Sequence, residues 1–594
     1  MAYNDNPRKI KGKVEIVFAD TDISSISSVN VTSEAAISHT NEIYGSSIIP
    51  TTKACTMDGN STMDGTFQMI DDSCVLGWWS GEMASSTGQF ATTQKVTITF
   101  ASRPVSSWTI IGDTKLNQYP VNFTVVFKSN GTTVHTETVT NNTQVTRKVY
   151  CALEDITSIE MSITKWSKPN ACVKLLNFFD KLSETYEGDD LLSFEINEEM
   201  SPEDATYNLN SDTMSVTIYN RDKKFTTGYL KSLLVLDRKV KPYIGIEKNG
   251  VTTYTPLGTF YSEEWKIEDD GMWLKCTAVD KLIRLQNKIY VGFNLEPGVP
   301  LYYMAEDILV KAGFNSDQYE ISDSLKYIYI PAAFIGKQPV WDALQEVANA
   351  GLCKVFIDRD DRIIIKQEED TVEASGITLS LGNSFNNKSN ISLTEFANKV
   401  SVDYCDVTIA DELVNAAETL ISVSGSGTLT ITIDYSVEVA YSEISIDNAN
   451  LVLSNFDYGV NACTVTITNI SSQLQTGTIS VRGNALDITY KTISVRDETS
   501  VKDYGEFEYS HPSSELIQTS TQAENIARTI LSKLKAGEGV ITTTWRGNPG
   551  LVLGKSYTLI NRDTESTLVC EYNKITYDGG LVQETRGRKN VERT

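Results

Sequence analysis

The chain has 594 residues, of which 40% are hydrophobic and 22% are charged, and its formal net charge at pH 7 is −25. This length predicts about three to six domains of roughly 100–200 residues each. The acidic excess argues against a sequence-specific nucleic-acid binder, because such proteins grip phosphates with clustered Lys and Arg. The sequence contains no run of about 18 apolar residues, the length needed to span a bilayer. Met1–Ile10 lacks the apolar core of a signal peptide. We therefore expect neither export nor a stable membrane anchor.

Cysteines and acidic pairs are both dispersed along the chain. Nine cysteines run from Cys55 to Cys570 without a CxxC pair, which disfavours a metal site and a disulfide framework and indicates thiols in a reducing cytoplasm. Acidic pairs such as Glu198-Glu199 are typical of solvated faces and turns. The alternative is an acidic lumen past which DNA slides, because like charges repel within a Debye length of about 8 Å. We expect no cofactor.

The N-terminal third of the chain has the pattern of a β-sandwich. The first strand candidate is Lys13–Phe18, where polar and apolar residues alternate as in a half-buried strand. A region rich in Ser and Thr follows, about 23–183. It contains period-two runs at 96–100, 121–127 and 159–163. Short strands at this spacing with almost no helical pattern predict a sandwich.

The most informative stretch is Leu191–Leu285, which combines short strand-like runs and tight turns in a fixed order. The runs are 191–196, 214–222, 238–245, 256–261 and 273–282. They predict a second strand-rich region that extends to about Asn294.

The pattern then changes to helical spacing over 301–313 and 338–351. In the second of these helices the apolar residues share one face, and Gly351 occupies the place of a left-handed C-terminal cap. The strand runs 353–357 and 362–366 are joined as a hairpin by the turn Asp358–Asp361. We therefore predict a small α+β unit over residues 297–389.

A strand pattern returns with Val400–Tyr404. We predict a separate all-β insert over residues about 408–500, on the basis of strand-like runs at 428–433 and 463–467. One strong helix is predicted over Thr521–Ala536, where Thr521 and Glu524 have capping-box spacing. The last strands lie around 557–560 and 568–572. No Gly/Ser tether separates these units, which indicates domains held rigidly together.

The ordered landmarks of Leu191–Leu285 resemble the tube-like β domain of phage tail hub proteins, the trimeric collars that close the tail tube at its tip. Ser514–Thr519, the helix after it and Trp545–Gly554 resemble the closing elements of that family. The family's commonly acidic next position is Lys555 here, so no role of a carboxylate is carried over. The N-terminal sandwich resembles a discoidin-like carbohydrate-binding-module fold that some hubs of Gram-positive phages carry, through Met63–Phe67, Leu76–Ser80, Gly88–Phe90 and Asn117–Pro120.

The resemblance implies a mainly β, multidomain fold with two tube-like β-barrel hub domains and three further units. In that family two barrels per subunit let a trimer present six copies of one fold to a sixfold tail tube. The implied units are a first barrel at 1–22 plus 184–296, a jelly-roll sandwich insert at 23–183, the α+β domain at 297–389, a second barrel with one helix at 390–407 plus 501–594, and the all-β insert at 408–500.

The function implied is that of a structural, non-enzymatic virion protein, a homotrimeric tail-tip or baseplate hub assembled in the host cytoplasm. Such a hub forms the DNA passage and contacts the tail tube, distal tail and tape-measure proteins and receptor-binding or fibre proteins. Two alternatives stay open. One is a binder of host cell-wall polysaccharide that works through the sandwich, and the other is a cell-wall hydrolase.

Four aromatic residues are the candidates for carbohydrate binding: Trp78, Trp79, Trp108 and Tyr119. Flat aromatic faces complement pyranose rings, and Trp offers the largest apolar surface. A competing interpretation places one residue of the Trp78-Trp79 pair in the sandwich core and the other at its edge, because neighbours on a strand point to opposite faces.

We expect no catalytic and no metal-binding residue. The three histidines, His39, His135 and His511, lie in different neighbourhoods without zinc spacing, and neither HExxH nor GxSxG occurs. A hydrolase that pairs Cys55 with His135 or His39 stays open, because such pairs meet only in three dimensions.

Overall fold

A computed structural model of the protein shows a mainly β, multidomain chain, as predicted. Cys55 and the predicted landmark Met63–Phe67 lie outside the residues that it describes. The described residues are 9–19, 26–35, 38–44, 76–179, 182–200, 207–227, 231, 234–248, 250–268, 271–367, 370, 372–390, 396–534, 540–561 and 564–589.

The N-terminal region forms a sandwich of a six-stranded and a two-stranded sheet around one core. The larger sheet has the order β2-β4-β7-β5-β6 with β9 paired to β4, and β3 pairs with β8. Alternate residues of the long strands, such as Val96 and Ile98, are fully buried, as period-two spacing predicts. The strands are β1 Lys9–Ala19, which precedes the sandwich, then β2 Ile26–Val31, β3 Trp78–Met83, β4 Gln89–Ile111, β5 Pro120–Ser129, β6 Thr132–Val139, β7 Thr146–Trp166, β8 Cys172–Leu175 and β9 Asn177–Phe179.

The predicted first barrel region forms a curved antiparallel sheet with the order β10-β1-β13-β15-β16-β12-β11, and β14 pairs with β13. Side chains from strands near both ends of this path, including Ile16 and Phe194, share one hydrophobic cluster. The sheet therefore curls around its own core. Its strands after β1 are β10 Leu182–Glu187, β11 Leu191–Glu199, β12 Thr213–Tyr219, β13 Lys239–Lys248, β14 Val251–Pro256, β15 Phe260–Ile267 and β16 Trp273–Val279.

The α+β unit follows, with the predicted hairpin intact in the pairing of β22 with β23. Its two helices and its hairpin enclose a large apolar cluster. The elements are β17 Ile289–Tyr290, β18 Phe293–Pro300, α1 Leu301–Lys311, β19 Tyr319–Ile321, β20 Tyr329–Ile335, β21 Gln338–Pro339, α2 Val340–Gly351, β22 Cys353–Ile357 and β23 Ile363–Gln367.

The end of α2 differs from its prediction by one residue. The left-handed conformation belongs to Leu352, with φ 50° and ψ 49°, and not to Gly351. Glycine is needed at 351 for space, because a Cβ there would lie 2.9 Å from Cys353 Sγ and from Leu325 Cδ2.

The all-β insert pairs a four-stranded sheet, β28-β31-β26-β32, with a three-stranded sheet, β27-β30-β29. Strand β26 has 25 residues and crosses the predicted boundary at 407/408 without a break, because β31 pairs with it along almost its whole length. The elements from here to β32 are β24 Ala374–Leu379, β25 Ser384–Asn390, β26 Lys399–Val423, β27 Thr428–Asp434, β28 Val439–Ile446, β29 Leu451–Tyr458, β30 Ala462–Asn469, β31 Gln475–Arg496, α3 Glu498–Tyr504 and β32 Glu508–Ser510.

The base of the insert docks directly on the α+β unit. Lys337 Nζ lies 2.5 Å from Asp434 Oδ1, and Lys311 Nζ lies 2.7 Å from Asp457 Oδ1. Gly292 and Gly459 meet backbone to backbone, since a Cβ on Gly459 would lie 3.1 Å from the Gly292 Cα. This close fit holds the insert without a linker.

The C-terminal strands join the first sheet instead of forming a separate one. Strand β11 pairs with β35 from Phe194↔Tyr577 to Glu199↔Tyr572, and the path continues β35-β36-β33-β25 with β34 and β24 at its side. We call the resulting 14-stranded sheet the joined sheet. Its remaining elements, with the helix that precedes them, are α4 Ser520–Leu534, β33 Val540–Trp545, β34 Ser556–Ile560, β35 Glu565–Tyr577 and β36 Leu581–Lys589.

Two segments have strand partners outside the units predicted for them. Strands β24 and β25, expected in the α+β unit, pair with C-terminal strands, whereas 399–407, expected in the second barrel, pair with β31 of the insert, and 399–401 also pair with β32. Among the described residues, the strand order of the joined sheet begins at β10 and ends at β25, and these two strands do not pair with each other. Period-two alternation marks the face that a strand buries but not the strand beside it, which is why these partners were not predictable.

Helix α4 packs against the paired strands β26 and β31 and borders the α+β unit. The start of β26, residues 399–407, was assigned by the sequence to the same unit as this helix. The apolar stripe of α4, which includes Ile526 and Ile530, belongs to the cluster that contains α1 and α2. Its first turn is capped by Thr519, whose Oγ1 accepts from Gln522 N at 3.1 Å, and not by Thr521. Among the described residues no helix is long and apolar enough to cross a membrane.

Candidate functional site

The four predicted carbohydrate-binding residues all lie in the sandwich, but three of their rings are buried. Trp78 and Trp108 are 0% exposed and Trp79 is 8% exposed. Trp78 and Trp108 lie in the main sandwich core, whereas Trp79 lies in a small cluster with Leu76 and Cys172 at its edge. This is the arrangement of the competing interpretation, with one tryptophan of the pair in the core and the other at its margin.

Burial corrects the stacking interpretation of these three tryptophans, because a ring that stacks on a sugar needs one face open to solvent. The Trp79 indole donates from Nε1 to the Leu76 carbonyl at 2.9 Å, and Lys174 Nζ lies 5.0 Å from its ring centroid. Trp108 packs edge-on against Phe123 at a centroid distance of 6.2 Å. These side chains stabilise the sandwich.

Tyr119 is the one candidate that is only half-buried. Its backbone is fixed by its N–H, which donates to Ser167 Oγ at 2.9 Å. The preceding Gln118 pairs with Asp113 in a β-bridge and accepts from Trp166 Nε1 at 3.2 Å. The loop thus presents Tyr119 in a defined position, apart from the buried tryptophans.

The histidines do not come together. His39 and His135 lie in different segments of the N-terminal region, His135 on β6. His511 follows β32 and is buried against the α+β unit, where its Nε2 lies 3.0 Å from the Asn349 carbonyl. Burial raises the pKa of the Cys405 thiol to about 12, which keeps it protonated and unreactive. In the described part of the chain no group of His, Cys, Asp and Glu side chains could hold a metal ion.

A buried network of charges lies where the α+β hairpin meets both parts of the joined sheet, and we treat it as the candidate functional site. Arg359, in the turn between β22 and β23, forms a two-pronged ion pair with Glu198 on β11: Nε to Oε1 at 2.5 Å and Nη2 to Oε2 at 2.8 Å. Both side chains are nearly excluded from solvent. Burial opposes the positive charge, but Glu198 outweighs it, so the pKa of Arg359 lies above its ordinary value.

The same guanidinium also reaches the C-terminal part of the chain. It donates to the carbonyl of Pro549 and, from Nη2, to that of Leu551 at 3.2 Å. Asn573 on β35 donates to Glu198 Oε2 at 3.3 Å and to the Leu551 carbonyl at 3.2 Å. One arginine therefore connects three segments that lie far apart in the sequence.

Asn573 is itself held from the neighbouring strand. Gln583 Nε2 and Thr585 Oγ1 on β36 donate to Asn573 Oδ1 at 2.8 and 2.9 Å. Trp545 Nε1 on β33 then donates to Thr585 Oγ1 at 3.0 Å. Because buried polar groups are costly unless they are paired, this chain of contacts specifies one arrangement of the strands.

Further ion pairs brace the same junction. Lys354 Nζ lies 2.5 Å from Glu571 Oε1, and Arg588 Nε lies 3.4 Å from Glu571 Oε2. Burial opposes ionisation of Glu571, but Lys354 and Arg588 outweigh it and lower its pKa to about 2. Arg586 on β36 also contacts Glu199 on β11, so an ion pair joins the first part of the sheet to the C-terminal strands.

Two buried aspartates complete the site. Asp212 accepts from Glu199 N at 2.8 Å, and Asp280 accepts from Asp212 N at 2.8 Å. Burial raises the pKa of the Asp212 carboxyl well above its ordinary value, and the charge of Asp280 raises it further. Burial likewise raises the pKa of Asp280. The pair therefore costs free energy when both carboxyls are ionised.

Sequence reasoning missed this network. Glu198-Glu199 was expected on a solvated face or turn, yet Glu198 is only 3% exposed. Arg359 was predicted to lie in a hairpin turn, without any partner. Acidic and basic residues scattered over several hundred positions carry no signal of their pairing. The only available hint was the alternation of β11, which places Glu198 on the same face as Phe194 and Ile196.

Replacing Asp212 with asparagine is expected to make the stability less dependent on pH. The folded-state pKa of Asp212 is raised, so its contribution to stability is full below the unfolded pKa of about 4 and is lost as the pH rises through the folded value. The variant should therefore be more stable than the parent at pH 8, where the parent must bury an ionised carboxylate, and no more stable near pH 4. Thermal unfolding at intervals between pH 4 and 8 measures this difference.

Asp317→Asn, at an exposed position, is the matched control and should leave the pH dependence unchanged. An Asp212→Asn protein whose stability runs parallel to that of the parent across this range would contradict the prediction.

Comparison with known proteins gives structural neighbours for most of the chain and others for its N-terminal part. No protein-family model matches the sequence, and no curated protein matches it. Among solved structures, the 43 kDa tail protein of prophage MuSo2 from Shewanella oneidensis aligns with 68% of this chain and 95% of its own at 12% identity and a TM-score of 0.38. The prophage tail protein gp18 from Listeria monocytogenes aligns with 69% of this chain and 92% of its own at 11% identity and a TM-score of 0.32.

The second kind of neighbour matches the N-terminal part. The family 32 carbohydrate-binding module of C. perfringens NanJ, solved in complex with galactose, aligns over 29% of this chain and 99% of its own at 15% identity and a TM-score of 0.19. The structural neighbours of this chain thus include phage tail proteins and, for the sandwich, carbohydrate-binding modules. At these TM-scores they are likenesses of fold, and the function proposed below is supported by contacts within the chain itself.

Proposed function

We propose that the protein is a structural, non-enzymatic component of the tail tip of a phage or phage-like particle, a homotrimeric hub that closes the tail tube and surrounds the DNA passage. In this role it contacts the tail tube, distal tail and tape-measure proteins, and links them to receptor-binding or fibre proteins. It is assembled in the cytoplasm of the bacterial host and works in the virion.

The observation that carries the proposal is the pairing of β11 with β35. Two segments of the chain that are separated by the α+β unit and the insert contribute to one sheet, as a subunit needs if it supplies two tube-like parts to a ring. The Arg359–Glu198 pair and the charges around it hold those parts at a fixed relative position. A ring-forming subunit requires such rigidity, because a ring closes only when every subunit contact repeats with the same geometry.

The acidic composition agrees with this role. With a net charge of −25 the trimer would repel the DNA backbone at short range, within a Debye length of about 8 Å at physiological salt. DNA would therefore pass along the collar without binding to it. Sequence-specific recognition plays no part in this function.

The oligomeric state of the full-length chain tests the proposal. Sedimentation velocity at micromolar concentration is expected to give a species of three times the chain mass, and class averages of negatively stained particles should show a ring with threefold symmetry. A monomer that persists over a concentration series, with no rings in the images, would overturn the proposed hub.

A second candidate function is binding of cell-wall polysaccharide by the sandwich. The observation in its favour is the fixed loop that presents the half-buried Tyr119. Full-length protein should then bind one member of a panel of bacterial cell-wall polysaccharides, and Tyr119→Ala should weaken that binding at least tenfold without a change in thermal stability. Trp79→Ala serves as the contrast, since its effect should come through loss of folding. Absence of binding across the panel would leave the sandwich as a structural element.

A further inference from the structure

An open groove lies between α4 and the α+β unit, outside the charged junction. It has a volume of about 740 Å³, which is within the usual range of small-ligand sites. Tyr327 and Tyr329 line one side of it, and the outer face of α4 lines the other. The C-terminal end of α2 forms its floor. The groove thus has one aromatic wall and one helical wall.

The aromatic wall presents two tyrosine rings to the groove. Tyr327 is 81% exposed and Tyr329 is 61% exposed, so both rings keep apolar surface in water, which is unfavourable until a ligand covers it. Between them, Ile328 has an extended backbone. Its N–H donates to Leu325 O at 3.3 Å and its carbonyl accepts from Leu301 N at 2.8 Å. Because this backbone is already paired, the two rings are what the wall offers to a ligand.

The helical wall is polar and carries amide and hydroxyl groups. The apolar face of α4 packs inward, so the side chains spaced along its outer face border the groove: Thr521, Gln522, Asn525, Thr529 and Ser532. The exposed carboxamide of Asn525 has no hydrogen-bond partner among the described residues. Carboxamides and hydroxyls both donate and accept hydrogen bonds. This wall therefore matches a ligand that carries many hydroxyl groups of its own.

The groove has almost no charge, although the chain as a whole is strongly acidic. Among the described residues that line it there is no Asp or Glu, and Arg528 is the single ionised side chain. Arg528 is already paired with Glu524, Nη2 to Oε1 at 2.5 Å. A nucleic acid or another anionic polymer needs several cationic groups, and a strand-adding peptide needs a free backbone edge. The described lining provides neither.

We propose that this groove binds a neutral oligosaccharide. The apolar faces of neighbouring sugar rings stack on Tyr327 and Tyr329, while the sugar hydroxyls exchange hydrogen bonds with the amide and hydroxyl groups of α4. The helical wall from Thr521 to Ser532 extends about 16 Å at a rise of 1.5 Å per residue, so the site suits a short chain of sugars and not a single one. It is separate from Tyr119 in the sandwich and goes beyond the proposed tail role.

The chemistry of the lining favours binding over cleavage. Glycoside hydrolysis ordinarily uses two carboxyl side chains that flank the scissile bond, and the described lining has none. An oligosaccharide incubated with the protein should therefore be recovered intact, without new reducing ends. Release of reducing ends that depends on the groove would overturn the assignment as a binding site.

The probe is an array of neutral oligosaccharides built from glucose, galactose, N-acetylglucosamine or rhamnose, tested with the full-length protein. The best ligand is then titrated by calorimetry. Tyr327→Ala and Tyr329→Ala should each weaken its binding about tenfold, since covering an aromatic ring is worth at least that factor. Tyr327→Phe and Tyr329→Phe keep the ring and should keep most of the affinity. Asn525→Ala should weaken binding about threefold, because it removes one neutral hydrogen-bonding group.

Two control variants locate the site. Tyr504 on α3 is 72% exposed but does not line the groove, so Tyr504→Ala should leave the affinity unchanged. Tyr119→Ala should also leave it unchanged, because Tyr119 lies in the sandwich. Thermal unfolding of each variant shows that the exposed substitutions leave the fold intact.

The proposal is overturned if no neutral oligosaccharide binds, if the groove variants bind as tightly as the parent, or if Tyr119→Ala alone abolishes binding. It is also overturned if acidic polysaccharides bind as well as neutral ones, or if a peptide from a random library occupies the groove instead. Every lining residue belongs to one chain, so a monomer that binds the oligosaccharide through Tyr327 and Tyr329 would contradict the trimeric hub but not this site.

Discussion

Arg359→Ala is expected to lower the free energy of unfolding of the joined sheet by about 3–5 kcal/mol, the usual cost of removing one partner of a buried ion pair. The substitution leaves the Glu198 carboxylate, whose side chain is 4% exposed, without its guanidinium. The carbonyls of Pro549 and Leu551 lose a donor at the same time. Urea denaturation gives the stability, and hydrogen exchange in β11 and β35 shows where the structure opens.

The control for this prediction is an exposed ion pair. Arg496 Nε lies 2.8 Å from Glu498 Oε1, with both side chains more than half exposed, and Arg496→Ala should cost less than about 1 kcal/mol. The double variant Glu198→Ala/Arg359→Ala should lose less than the sum of the two single variants, because neither then leaves a lone buried charge. If Arg359→Ala costs no more than Arg496→Ala, the network does not hold the two parts of the sheet together.

The second large effect is expected in the sandwich, where Trp108→Ala should lower the free energy of unfolding by about 3–5 kcal/mol. Trp108 is 0% exposed and packs against Phe123 and Phe127, so its removal leaves a cavity in the centre of the core. The measurement is the unfolding transition of the sandwich, followed by hydrogen exchange in β4 and β5 of the full-length protein.

Tyr119→Ala is the comparison, with an expected loss below about 1 kcal/mol, because its ring is only half-buried. A Trp108→Ala protein as stable as its parent, but deficient in polysaccharide binding, would restore Trp108 to a sugar-binding role and contradict the burial argument.

Many of the described helices and strands follow from local pattern, although α3 was not predicted. Period-two alternation located strands such as β5 and β11, and the 3.6-residue period located α2 and α4 to within a few residues. The hairpin at Asp358–Asp361 was predictable for the same reason, since its turn and both strands are contiguous in sequence. These features depend on which side of an element is apolar, and the spacing of apolar residues in the sequence shows that side directly.

The candidate site depends on partners that no local pattern specifies. Glu198 and Asn573 meet because β11 lies beside β35, and Arg359 joins them from the hairpin turn between β22 and β23. The Trp78-Trp79 pair also depends on tertiary structure. Alternation along the strand predicted that the two rings point to opposite faces, but only the packing of the sandwich decided that both rings are buried.

The amino-acid sequence alone determined the fold class, the approximate order of the units and the acidic character of the chain, because each of these is a sum over local composition and period. Tertiary structure decided that β24 and β25 join the C-terminal strands, that α4 packs against β26 and β31, and that Glu198 is buried against Arg359. The physical reason is that an apolar face or a charge specifies the environment it needs, while the segment that supplies this environment is chosen by the packing of the whole chain.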